Sequence, residues 1–130
     1  MACYVFPAVF EPEDGLYNVT FPDLPDCYTC GDDLTDAMHM AQDVLSDVLA
    51  DREESGEAIP QASDLKAHAA PSGGLVSLVY ADTDAWRRAH SMKAVKKTLT
   101  IPQWLDNAAI ARNVNFSQVL QSALRAQLGL

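Results

Sequence analysis

The spacing of apolar side chains changes period several times along this chain, and each change predicts an element. Residues 4–11, Tyr-Val-Phe-Pro-Ala-Val-Phe-Glu, are rich in β-forming residues. Pro7 inside that run predicts an edge strand or a bulge, because proline cannot donate to a ladder. Asp14-Gly15 has the turn chemistry of a hairpin tip. From Leu16 to Phe21 the pattern alternates, with Tyr17, Val19 and Phe21 on one side and Asn18 and Thr20 on the other, as in a half-buried strand. Residues 22–26 read as a rigid loop with two prolines, and residues 27–30 as a short third strand.

A helical period follows. Asp33 suits an N-cap, with Asp36 near the positive end of the helix. Leu34, Ala37, Met38, Ala41, Leu45, Val48 and Leu49 then recur at helical spacing, opposite Asp36, Asp43, Asp47, Asp51 and Glu54. Ser55-Gly56 stops the helix. Residues 55–74 are loop-like, and residues 75–81 form a fourth apolar strand. The order β-β-β-α-β predicts a small α+β domain over residues 1–82. Residues 83–92 read as a polar connector.

In residues 93–130 the period switches once more. Lys96, Thr98 and Thr100 alternate with Lys97, Leu99 and Ile101, which predicts a short strand. Pro102 suits the first helical position. A helix over residues 102–112 would turn Leu105 and Ala109 inward, and Asn113 can take the left-handed conformation that ends it. Asn115-Phe-Ser-Gln118 reads as the capping box of a second helix, whose apolar face carries Phe116, Val119, Leu120, Ala123, Leu124 and Leu128.

A strand and two short helices bury too little surface to be stable alone. Pairing with a second copy solves this. The two strands would form an antiparallel ribbon, and four helices would enclose a shared core of Leu99, Ile101, Leu105, Val119, Leu120 and Leu124. The outward face of the ribbon would then present Lys96, Thr98 and Thr100 twice. A two-stranded ribbon fits the DNA major groove.

Charge sharpens this division. Residues 1–92 carry 17 acidic and 4 basic side chains, a net −13, whereas residues 93–130 carry five basic side chains against Asp106 alone, a net +4. The front should repel nucleic acid and attract a basic partner, and the tail should do the reverse. No run reaches the roughly 18 apolar residues of a membrane span. No signal peptide is evident, so a cytoplasmic location is expected.

Candidate chemistry is sparse. Three cysteines, Cys3, Cys27 and Cys30, are an odd set and fit reduced thiols. Cys27-Tyr-Thr-Cys30 matches C-x-x-C, but no further ligand pair completes a zinc site. His39, His68 and His90 are scattered and read as ordinary surface or packing residues. Trp86 and Trp104 read as core residues, with partner anchoring as the alternative. Neither a catalytic constellation, a metal site nor a cofactor is expected. In the tail, Lys96, Thr98 and Thr100 are the candidates for base-edge contacts. Ser117 and the backbone N–H groups of Asn115, Phe116 and Ser117 could grip a phosphate, although plain helix capping explains the same residues. Lys93 and Lys97 would add phosphate contacts.

These stretches resemble two known units. The strand, Pro102, helix, Asn113-Val-Asn-Phe-Ser117 turn and helix resemble the ribbon-helix-helix DNA-binding fold. The front resembles the HicB antitoxin family through Tyr17-Asn-Val-Thr-Phe-Pro-Asp-Leu-Pro25, Gly31-Asp32 before the helix, Gly56-Glu-Ala-Ile-Pro60 after it, and Tyr80-Ala-Asp82. The resemblance implies a partial RNase H-like front domain that neutralises a small basic HicA-like mRNA-interferase toxin. It also implies a tail that binds operator DNA and represses the shared operon. A homodimer is expected, or a tetramer if the front domains also associate. The alternative is a solitary transcription regulator whose front domain binds a ligand or another protein.

Overall fold

The structure is a computed structural model that describes residues 2–130. The chain divides into two compact units, one ending at Met92 and the other spanning Lys93–Leu130. The first unit holds β1 (Cys3–Glu13), β2 (Leu16–Phe21), β3 (Leu24–Gly31), α1 (Leu34–Ser55), β4 (Leu75–Asp82) and α2 (Thr83–Ala89), with a single 3₁₀ turn at Leu65–Ala67. The second holds α3 (Gln103–Ala111) and α4 (Phe116–Leu128). The fold is α+β, with a four-stranded antiparallel sheet in the order β3-β2-β1-β4.

Asp14 and Gly15 both have positive φ, 51° and 80°, and close the β1–β2 hairpin between Glu13 and Leu16. Two left-handed residues in a two-residue loop match the twist of the flanking strands. The expectation of an edge strand for β1 is corrected, because β1 is an inner strand. Its two ladders are offset: Cys3–Phe10 pairs with β4, and only Val9–Glu13 pairs with β2. Pro7 faces Leu78 alone and Pro12 faces Tyr17 alone. Each proline thus lies where the strand is paired on one side only, so an inner strand tolerates both.

The third strand starts earlier than its apolar run suggested. Phe21 pairs with Leu24 while Thr20 pairs with Tyr28, so Pro25, Asp26 and Cys27 are taken up in a bulge. Proline costs nothing there, because the bulge needs no ladder donor.

One face of the sheet and one face of α1 make the core. Phe6, Ala8 and Phe10 from β1, Val19 and Phe21 from β2, Leu24 and Cys27 from β3, and Val79 and Ala81 from β4 meet Ala37, Ala41, Leu45 and Leu49. Small residues at the start of α1 let it approach β3 closely. A Cβ on Gly31 would overlap the backbone N and Cα of Ala37, so only glycine fits there. Asp33 caps the helix by accepting from Asp36 N–H at 2.7 Å, and Asp36 accepts in turn from Asp32 N–H at 2.8 Å. Gly56, at φ 75°, ends it.

Residues 83–92, read as a polar connector, contain α2. Asp82 caps it through Ala85 N–H, and Arg87 ties it to α1 through Glu53 at 2.8 Å and the Ala50 carbonyl at 3.0 Å. The helix is short, and the ion pairs of Arg87 tie it to α1 beside the half-buried Trp86.

In the second unit, residues 93–102 carry no regular structure, so the expected strand at residues 96–101 is not formed in this single chain. Pro102 is the N-cap rather than the first helical residue: its ψ is 142°, and its carbonyl accepts from Leu105 and Asp106 N–H at 3.1 Å. Asn113, at φ 54°, closes α3, with Asn113 N–H bonding Ile110 O and Val114 N–H bonding Ala109 O, both at 3.0 Å. This pair of bonds is a Schellman motif. Asn115 Oδ1 caps α4 by accepting from Gln118 N–H at 3.1 Å.

Candidate functional site

Three groupings could carry chemistry or binding. The first is the cysteine pair. Cys27 points into the core and is 1 % exposed, whereas Cys30, three strand positions later, is exposed on the other face of the sheet. Residues separated by an odd number along a strand point to opposite faces, so the two sulfurs diverge. Burial first, then the neighbouring Asp26 charge, pushes the Cys27 thiol up to about 12. That is the reverse of the thiolate a redox or metal-binding cysteine needs.

The second is polar. Ser63 Oγ donates to Asp23 Oδ2 at 2.9 Å and lies 2.7 Å from His68 Nε2. In a nucleophilic triad the carboxylate orients the histidine. Here it holds the serine, and Ser63 N–H adds a bond to the same oxygen at 3.0 Å. The arrangement pins the 57–74 loop to the β2–β3 turn. Glu53 forms another such hub. Its Oε2 accepts from Tyr4 OH at 2.7 Å and Thr83 Oγ1 at 3.1 Å, and its Oε1 pairs with Arg87. Burial alone would raise the Glu53 pKa, but these hydrogen bonds outweigh it and hold the carboxyl below its ordinary value. The bond to Glu53 pushes Tyr4 up to about 12.

The third grouping is the set of partner-facing surfaces. On α1 the structure sorts the acidic residues by what they already do. Asp36 serves the N-cap, Glu54 meets Arg87, Asp26 on β3 pairs with Arg52 at 2.9 Å, and Asp23 holds Ser63. Asp43 and Asp47 are exposed and meet no cation among the described residues. Beside them Trp86 and His90 stack at 4.2 Å with an interplanar angle of 17°. This pair is not apparent as a unit where residues 83–92 read as a polar connector. The available signal was Asp82 as an N-cap, with Trp86 and His90 one turn apart.

In the second unit every residue from 93 to 130 is at least partly exposed. Lys93, Lys96, Lys97, Thr98 and Thr100 lie together on the irregular segment before α3, all exposed. Leu99 is 64 % exposed, Ile101 and Leu105 42 %, Val119 56 % and Leu124 51 %, and Leu120 is partly buried. Trp104, expected in a core, is 71 % exposed in this chain. Asn115 is engaged as a cap, and Ser117 Oγ accepts from Gln121 Nε2 at 3.0 Å. The N–H groups of Phe116 and Ser117 are left facing outward from the α4 N-terminus. Among the described residues no helix is long and apolar enough to cross a membrane.

Residues 6–127 match a family described as the HicB-like antitoxin of bacterial toxin–antitoxin systems. Antitoxin HicB 1 of Photorhabdus laumondii is 41 % identical over 56 residues, which are 42 % of this chain and 36 % of that protein. The match thus spans little more than a third of that relative's length. Among solved structures, a toxin–antitoxin complex from Streptococcus pneumoniae aligns over 97 % of this chain and 99 % of its own, with 28 % identity and a TM-score of 0.61. The N-terminal domain of the Burkholderia pseudomallei antitoxin HicB aligns over 58 % of this chain and 95 % of its own, with 27 % identity and a TM-score of 0.52. With a family match over nearly its whole length, the chain belongs to the HicB-like antitoxins.

Proposed function

We propose that this chain is an antitoxin without enzymatic activity that works through two separate binding events. The first unit, with a partial RNase H-like arrangement, binds a small basic HicA-like mRNA-interferase toxin and blocks its RNA site. The second unit pairs with its copy as a ribbon-helix-helix dimer, binds operator DNA and represses the shared operon.

The observation that carries this reading is the state of residues 93–130 in a single chain. Leu99, Ile101, Leu105, Val119 and Leu124 are exposed together, next to a segment rich in lysine and threonine. Apolar side chains at this density are unfavourable in water unless something covers them. A second copy supplies both the cover and the strand partner that residues 96–101 need. Lys96, Thr98 and Thr100 then read base edges, and Lys93, Lys97 and the α4 N-terminus around Asn115 and Ser117 hold phosphates. The opposite charges of the two units support placing the toxin on the front and the operator on the tail.

The test is co-expression of the chain with the small basic protein encoded beside it. Relief of that protein's growth arrest supports the antitoxin reading. Persistent arrest, or a neighbour that arrests nothing, favours a solitary regulator instead.

A further inference from the structure

The first unit carries a surface feature where α1 meets α2. Met40, Asp43, Val44 and Asp47 recur on α1 at positions i, i+3, i+4 and i+7, so they form one stripe along the helix. The stack of Trp86 in α2 on His90, the residue that caps its C-terminus, lies beside this stripe. A shallow groove of about 280 Å³ runs between them and is also lined by Thr29 of β3. A second depression of about 300 Å³ lies on the Tyr80 side of the same stack and shares Asp43. Trp86 and His90 are thus a ridge between two hollows, each with an open carboxylate edge.

The electrostatics of the stripe are unfavourable as they stand. Asp43, Asp47 and Asp51 follow one another at i+4 spacing, where like charges on a helix repel and destabilise it. Among the described residues Asp43 and Asp47 meet no cation, unlike Asp26, Glu53 and Glu54, which are paired. An apolar floor with a half-buried tryptophan, rimmed by unneutralised carboxylates, is complementary to a surface that pairs lysine or arginine with apolar groups. A second front unit is a poor occupant, since it brings the same −13 charge.

We propose that the groove between α1 and α2, formed by Met40, Asp43, Val44, Asp47 and Trp86, is where the toxin docks through a lysine- or arginine-bearing surface. This rests on the antitoxin reading above. The carboxylates steer the basic partner in and neutralise its charge, while Trp86 supplies the apolar anchor.

The test uses the full chain and the small basic protein encoded beside it, with affinity measured by calorimetry. Asp43→Lys with Asp47→Lys is compared with an equal charge change elsewhere on the first unit, Glu11→Lys with Glu57→Lys. The groove variant should weaken binding about tenfold or more beyond the control variant. In a Trp104→Phe background Trp86 is the sole indole, and its emission should shift to the blue when the partner saturates the chain. Equal losses in the two double variants, or unchanged Trp86 emission at saturation, overturn the groove while leaving the antitoxin reading standing. Unaltered partner affinity with a changed oligomer mass in the groove variant means that a second copy sits there, and also overturns it. If the unaltered chain does not bind the partner at all, the antitoxin reading fails and the groove proposal falls with it.

Discussion

Glu53 concentrates more of the first unit's polar structure than any neighbour, because one carboxylate joins β1 through Tyr4, α2 through Arg87 and the β4–α2 corner through Thr83. Its folded-state pKa lies below the ordinary glutamate value. The stability it contributes is therefore present above pH about 4.3, the unfolded value, and is lost as pH falls through the lower folded value. Glu53→Gln should cost about 1–2 kcal/mol at neutral pH and flatten that acid limb, as urea melts from pH 7 to pH 3 would show. A parallel acid limb in the variant assigns the loss to other carboxylates. Nothing in the periodicity of α1 set Glu53 apart from Asp51 or Glu54, since its partners come from segments far away in sequence. Cys27 was legible only as half of a C-x-x-C. Its inward direction depends on the β3 bulge, which shifts phase relative to β2. Lys96 is the residue on which the two-unit division turns. Lys96→Glu should abolish operator retardation in a gel while leaving toxin rescue intact. Loss of rescue as well would show that the two activities share a surface.

At the scale of elements, local chemistry decided most of the fold. The Asp14-Gly15 tip, the alternation of β2, the Asp33 cap, the Gly56 stop and the Asn113 and Asn115 signals all act within a few residues, and each produced its element where expected. The misses have a shared cause, which is that distant partners decide them. Pro7 argued for an edge, but the stagger of two ladders makes part of an inner strand locally one-sided. Helix α2 has seven residues, and Arg87 and its acidic partners hold it. The strand at residues 96–101 is the reverse case, in which the pattern is clear but no ladder exists within one chain. Gly31 shows how tight the α1–β3 junction is. Gly31→Ala has no room for its methyl beside the Ala37 backbone and should destabilise the unit by about 1–3 kcal/mol, read from the urea midpoint. A smaller change would mean that the start of α1 can slide away from the sheet at little cost.

At the scale of the whole molecule, the two units differ in how complete they are. The first has a closed core of thirteen buried apolar residues within Phe6–Ala81, so a chain ending at Met92 should unfold cooperatively on its own and fail to retard operator DNA. The second has no fully buried residue in one chain, so its folding and its DNA binding should share one concentration dependence. That coupling fixes a number. Each phosphate contact adds about 0.9 to the slope of log affinity against log salt. In a two-fold dimer every lysine acts twice. Lys97→Ala should therefore lower the slope by about 1.8 in a dimer, against about 0.9 for a single bound chain. Light scattering at the same protein concentration should give the mass of at least two chains for both the parent and the variant. A one-chain mass with a compact, cooperatively melting tail would mean that α3 and α4 bury their apolar face by some route other than pairing, and the ribbon would lose its physical basis.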